Sequence, residues 1–153
     1  MKKILIALDG SDHSMRAVKM GCEIAQKFDA KVFLLRVLRE PDLPKSLRKF
    51  AESEHIKGGP EAVLHRAAQY VLSQAEEIAN DKGVKEVESE VLVGPPARTI
   101  SKYSKNHHID LIVMGRRGLS ASSLKMSDIG DLLMGGVSRR VSNLAECGCL
   151  TVA

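Results

Sequence analysis

Three continuous apolar runs of strand length divide the chain, residues 2–9 (KKILIALD), 31–38 (KVFLLRVL) and 108–115 (HIDLIVMG). Runs of this kind predict strands covered on both faces in a parallel sheet. Between them the period lengthens to that of a helix. After Asp12 or Ser14 as N-cap, Val18, Gly21, Cys22, Ala25 and Phe28 fall on one stripe. A second stripe carries Leu64, Ala67, Ala68, Val71, Ala75, Ile78 and Ala79, and ends near Gly83 as a C-cap. Residues 85–94 (KEVESEVLVG) behave differently, because Val87, Val91 and Val93 largely alternate with Glu86, Glu88 and Glu90, with Leu92 between. Such a strand belongs at an edge, where one face is solvated and charge discourages further pairing. Pro95 and Pro96 open a weaker helix that turns Ala97, Ile100 and Tyr103 inward. A last helix with Val137, Val141, Leu144 and Ala145 precedes a short strand, CLTVA.

Five strands alternating with four main helices define an α/β fold, an open doubly wound five-stranded parallel sheet with helices on both faces. Right-handed crossovers and a glutamate-bearing edge predict the strand order 3-2-1-4-5. Residues 39–59 (REPDLPKSLRKFAESEHIKGG) interrupt the rhythm. Their two prolines, mixed charges and terminal Gly-Gly predict a mobile excursion with one helical turn.

At 153 residues the chain has the size of one domain, 1–153. Hydrophobic residues at 44% and charged residues at 27% fit a globular protein. No apolar run reaches the roughly 20 residues that span a bilayer, so no membrane segment is expected. The opening apolar stretch stops at Asp9, too short for a secretory leader, and reads as the first strand of a cytoplasmic protein. Three cysteines are an odd number for a disulfide framework, and Cys147-x-Cys149 lacks the two-residue gap of a zinc or redox pair. Beside His107 and His108 they read as ordinary thiols in a reducing compartment, and no metal ligands are expected. The net charge of +4 permits a polyanion, but 3% aromatic residues and no Trp leave little to stack on bases. The charge therefore points to phosphate and away from nucleic acid.

In an open α/β sheet the ligand lies beyond the carboxyl ends of the strands, where the strand order reverses. Asp9 ends the first strand and Gly115 the fourth, so their loops are predicted to face each other. The second loop has the chemistry of an anion cradle. Gly115-x-x-Gly118 follows the strand, and Gly135-Gly136-Val137-Ser138 opens the last helix. Glycines let N–H groups converge on phosphate oxygens, the helix N-terminus adds its dipole, and Ser138 offers a hydroxyl. Arg116 and Arg117 supply charge. A Gly pair before a helix also serves simply as a turn, so these residues alone leave both readings open. There is no Gly-Lys-Ser/Thr of a Walker loop and no Gly-x-Gly-x-x-Gly after the first strand.

Over almost its whole length the chain resembles a universal stress protein. The resemblance rests on ILIALDGSDHSMRAV at residues 4–18, DLIVMGRRGLS at 110–120 and GGVSRRVSNLAECGCLTV at 135–152. It implies a small α/β homodimer and, in one branch of the family, an ATP site marked by Gly-x-x-Gly, about nine residues, then Gly-Ser/Thr. Carried over by position, Asp9 and the backbone near Ala7 lie by the nucleoside, and Val37 holds the adenine edge. Met114, Gly115, Arg117 and Gly118 line the ribose and first phosphates, and Gly135, Gly136, Val137 and Ser138 complete the cradle. The implied ligand is ATP, with or without Mg2+. The departure is the connector: 16 residues (119–134) separate Gly118 from Gly135, about seven more than the pattern, and Gly136 stands where Ser or Thr is usual. Loop-closure entropy charges on the order of a few tenths of a kcal/mol for such a lengthening, which favours an inserted cradle over a broken one. The insertion is either a solvated loop or a lid, with Ser120, Ser122, Ser123 and Lys125 within reach of a phosphate.

Several residues carry a second, structural reading. Asp9 can cap the turn DGSDHS as well as bind a nucleoside. Arg139 and Arg140 are expected in solvent, and His107-His108 at a helix end that suits cations. His13 lies near the mouth with no acid or nucleophile partner, so no catalytic residue is assigned. The leading expectation is an ATP-binding regulatory module, a homodimer paired through its C-terminal edge strand and acting in a stress response. The alternatives are an interaction protein of the same fold without nucleotide, and a slow ATPase.

Overall fold

A computed structural model describes residues 1–39, 45–55, 57–118 and 134–153. In chain order these form β1 (Lys3–Ala7), α1 (Asp12–Phe28), β2 (Lys31–Leu38), α2 (Lys45–Ser53), α3 (Gly59–Asp81), β3 (Val87–Val93), α4 (Pro96–Asn106), β4 (Leu111–Gly115), α5 (Gly136–Leu144) and β5 (Gly148–Val152). The strands make one sheet of order β3-β2-β1-β4-β5. Every pairing is parallel, with Leu5 opposite Phe33 on one side of β1 and Ile112 on the other. The predicted fold and strand order hold.

Burial explains why the three apolar runs occupy the centre. Ile4, Leu5 and Ile6 have no exposed surface, and successive side chains enter opposite layers. Ile4, Ile6, Val32 and Leu34 meet α1 and α3 through Val18, Cys22, Leu72 and Ala75. Leu5, Phe33, Leu35 and Ile112 meet α4 and α5 through Ile100, Tyr103 and Val141. Each large aliphatic side chain buried in this way contributes about 1.5–3 kcal/mol. At Gly21 α1 rests so close to β1 that an added Cβ would lie 2.6 Å from Ile6 Cδ1. Along β3, Glu88, Ser89 and Glu90 are exposed, as an edge strand requires.

Local expectations fare less evenly. The N-cap of α1 is Ser11, whose side chain accepts the Ser14 N–H at 3.2 Å, and not Asp12 or Ser14. Asp12 instead supplies first-turn negative charge, and Ser14 turns its hydroxyl back toward the preceding loop. Phe28 is 54% exposed and Leu144 51%, so the inward stripe of α1 stops at Ala25, and that of α5 runs through Val137 and Val141 to Ala145 without Leu144. Ala67 is exposed too, and Leu72 takes a core place on α3. The excursion carries the nine residues of α2, more than one turn, because Ala51 finds a buried seat. The C-cap of α3 is Lys82, with the expected Gly83 one residue further on at φ +75°, and His107 caps α4 as expected.

Candidate functional site

β1 gives way to a loop that is satisfied almost entirely by its own side chains. Leu8 N–H still donates to Leu35 O at 3.0 Å, and the chain then turns. Asp9 Oδ1 accepts the Ser11 N–H at 2.9 Å, an Asx turn that realises its capping role. Ser14 Oγ, buried beneath, accepts from Asp9 N–H at 3.3 Å and Gly10 N–H at 3.1 Å and donates to Ser11 O at 2.9 Å.

β4 ends against this turn. A Cβ on Gly115 would lie 2.8 Å from both His13 C and Ser14 N, so only glycine lets the strand end approach α1. A Cβ on Gly118 would lie 2.5 Å from Asp9 Oδ2. The Asp9 carboxylate therefore rests on the Gly118 backbone, and the loops after β1 and β4 meet where the strand order reverses. His13 stands in this junction, and its Nδ1 is buried without a hydrogen-bond partner.

The second glycine pair joins the same junction. Gly135 N–H donates to Arg116 O at 2.8 Å, and Ser138 Oγ lies 2.8 Å from Arg116 O and 3.0 Å from Gly135 O as donor. Arg116 N–H in turn donates to Val152 O at 2.7 Å, fastening the loop to β5. Residues 115–118 and 135–138 are thus side by side, although 119–134 separate them in sequence. Ser120, Ser122, Ser123 and Lys125 lie outside the described residues, as does the connector's path.

Electrostatically the place suits an anion. Gly135 caps α5 with no side-chain bond, no acidic residue stands in the first turn, and the first helical bond is Arg139 N–H to Gly135 O at 3.1 Å. The N–H groups of Gly136, Val137 and Ser138 precede that bond and carry the positive end of the helix dipole. Gly136 is exposed, with nothing within 4 Å of an added Cβ. Arg116 and Arg117 are half-buried, whereas Arg139 and Arg140 are exposed as expected. The Ser138 hydroxyl is committed to carbonyls, so this residue offers a ligand its N–H and not its side chain.

Ala7 and Met114 are buried in the layer toward α4 and α5, which leaves them backbone roles. Val37 is buried in that layer as well, at the end of β2. Its neighbour Arg36 was not singled out from sequence. Arg36 Nη1 approaches Val37 O at 3.4 Å. Burial pushes its pKa down, against the attraction of Asp9. The available signal was one cation inside an otherwise apolar strand. Among the described residues no three His, Cys, Asp or Glu side chains converge to hold a metal. A groove of about 370 Å³ between α3 and β3, lined by Leu72, Glu76, Ser89 and Glu90 among others, shares no residue with these loops.

Fold and site define a doubly wound α/β protein whose loops after β1 and β4 meet at its topological switch point. The chain belongs to the universal stress protein family, which matches residues 1–153. It is 34% identical to universal stress protein MJ0531 of Methanocaldococcus jannaschii, over 99% of this chain and 81% of that one. It is 31% identical to universal stress protein YxiE of Bacillus subtilis, over 98% and 97%. Universal stress protein UspA from Lactobacillus plantarum superposes with a TM-score of 0.75 at 24% identity, covering 99% of this chain and 97% of that one. Two further family structures share the fold: one in complex with cAMP, at TM-score 0.66 and 24% identity over 99% and 97%, and that from Archaeoglobus fulgidus in complex with dAMP, at 0.66 and 20% over 100% and 98%. No helix among the described residues is long and apolar enough to cross a membrane.

Proposed function

We propose that residues 1–153 act as one adenine-nucleotide-binding module, taking ATP with or without Mg2+ in the crevice between β1 and β4. The observation that carries this reading is the juxtaposition of the uncapped α5 N-terminus with Gly115–Gly118, sewn together through Arg116 O. N–H groups of Gly136, Val137 and Ser138 would hold phosphate, with Arg117 and the Gly115 and Gly118 backbone beside them. Asp9, the main chain near Ala7 and Met114, and Val37 would take the nucleoside. The cAMP and dAMP complexes of same-fold neighbours support an adenine nucleotide by analogy of fold.

The regulatory output is a cytoplasmic homodimer in a stress response, governed by occupancy more than turnover. β5 is the edge strand opposite β3 and carries no acidic residue, so it invites a symmetry mate. Light scattering at micromolar protein tests this, and a monomer sinks it. One observation favours the alternative of an interaction protein without nucleotide: Ser138 has already committed its hydroxyl within the chain. Calorimetric titration with Mg-ATP of the nucleotide-free protein and of Gly118→Val decides. Binding lost in the variant supports the cradle, and a folded parent that binds nothing supports the alternative.

A further inference from the structure

Among the described residues the topology leaves the Val37 carbonyl without its next ladder donor, and one side chain already addresses it. Rungs between β1 and β2 advance two residues at a time on each strand, from Lys31 N–H on Lys2 O at 2.8 Å to Leu8 N–H on Leu35 O at 3.0 Å. The next rung in that series would place Gly10 N–H on Val37 O. It is not made, because Gly10, at φ +85°, gives its N–H to Ser14 Oγ at 3.1 Å. On the far side of β2 the ladder continues, with Gly94 N–H on Leu38 O at 2.8 Å. The Val37 carbonyl is thus turned toward the switch point, and Arg36 Nη1 lies 3.4 Å from it. Lys3 and Lys31, the other cations of β1 and β2, stand at the opposite end of the sheet.

A carbonyl only accepts hydrogen bonds and a guanidinium only donates them. The exposed edge of adenine offers an amino donor next to the N1 acceptor, whereas a 6-oxopurine offers an O6 acceptor next to an N1–H donor. A carbonyl alone gives O6 no partner. A carbonyl with a guanidinium beside it serves both edges: Val37 O takes the N1–H while Arg36 takes O6. We propose that Arg36 is a specificity-determining residue that opens this crevice to guanine and hypoxanthine nucleotides alongside adenine nucleotides. The inference rests on the nucleotide reading above and deepens it. Arg36 is itself half-buried on β2 and is attracted by the opposite charge of Asp9.

The test compares Mg-ATP, Mg-GTP and Mg-ITP by calorimetry on the parent, on Arg36→Met, which keeps an apolar stem, and on Arg36→Lys, which keeps the charge. The readout is the ratio of oxopurine to adenine affinity, because loss of a positive charge weakens all three triphosphates together. The parent should bind GTP and ITP within about tenfold of ATP, and Arg36→Met should lower that ratio about tenfold or more. Arg36→Lys should fall between them, and it decides alone if the Met variant does not fold. A ratio unchanged in both variants overturns the proposal, as does a parent that binds ATP and refuses GTP and ITP. A parent that binds none of the three overturns the nucleotide reading itself, and this inference with it.

Discussion

Two helix N-termini open onto the same crevice, and they are finished in opposite ways. That of α1 is closed: Ser11 caps it, Asp12 neutralises its dipole, and Ser14 and Asp9 satisfy the loop before it. That of α5 is open: Gly135 and Gly136 bring no side chain, no acid stands in its first turn, and two arginines lie upstream of it. Putting Gly in place of a Ser or Asp cap, as at Gly135, costs a helix only about a few tenths of a kcal/mol. The sequence at α1 removes that cost, and the sequence at α5 accepts it. Local stability and receptiveness to an anion are alternative uses of the same four N–H groups.

The sharpest way to break this contrast is Gly118→Val. The new side chain must displace the Asp9 carboxylate, 2.5 Å from its Cβ, and fill the space before α5. Mg-ATP affinity should fall by about a hundredfold or more, the scale of a lost charged or bidentate contact set, with the circular-dichroism spectrum unchanged. Next comes Ser14→Ala on the closed side. It strands the N–H groups of Asp9 and Gly10 beneath a buried position and should cost about 1–3 kcal/mol in a urea melt. A loss of stability at Ser14 matched by an equal loss of ATP affinity would erase the division of labour. Gly136→Ser sharpens it: the site has room for the hydroxyl, and one more hydrogen bond to phosphate should raise affinity about fivefold, measured by calorimetry.

The smallest effect is in alkali. Burial raises the Cys22 thiol of α1 from its ordinary 9.0 to about 11, and Tyr103 of α4 rises from 10.0 to about 12, also chiefly through burial. Both groups keep their protons longer folded than unfolded. Their stabilising share is therefore complete below the unfolded values and is lost as pH climbs through the folded ones. Melting temperature should hold at about pH 8 and drop by a few degrees at about pH 10.5, with a shallower drop in Cys22→Ala. An identical drop in that variant would clear the thiol of any part.

What could be read from sequence followed physical necessity. A strand buried on both faces must be apolar throughout, so residues 4–8, 32–35 and 111–114 identified the sheet centre, and the glutamates of β3 identified its edge. Of α2 one turn was legible and the rest was not, because the prolines, mixed charges and terminal Gly-Gly of residues 39–59 read as loop. Three candidate caps within four residues hid Ser11, since capping depends on which hydroxyl faces the N–H groups. The glycine segments were legible because each must admit a close backbone approach, at Gly115 to α1 and at Gly118 to Asp9. Arg36 was not, because its position matters only once the ladder between β1 and β2 is seen to skip a rung.

Arg116 contributes to this protein with its peptide groups as well as its charge. Its N–H holds Val152 on the outermost strand, and its carbonyl holds Gly135 and Ser138 at the mouth of α5. One residue is thus the common fulcrum of the crevice and the sheet margin. Any shift of that fulcrum would reach the margin across a single hydrogen bond, and if both places bind a partner their coupling must be equal in either direction.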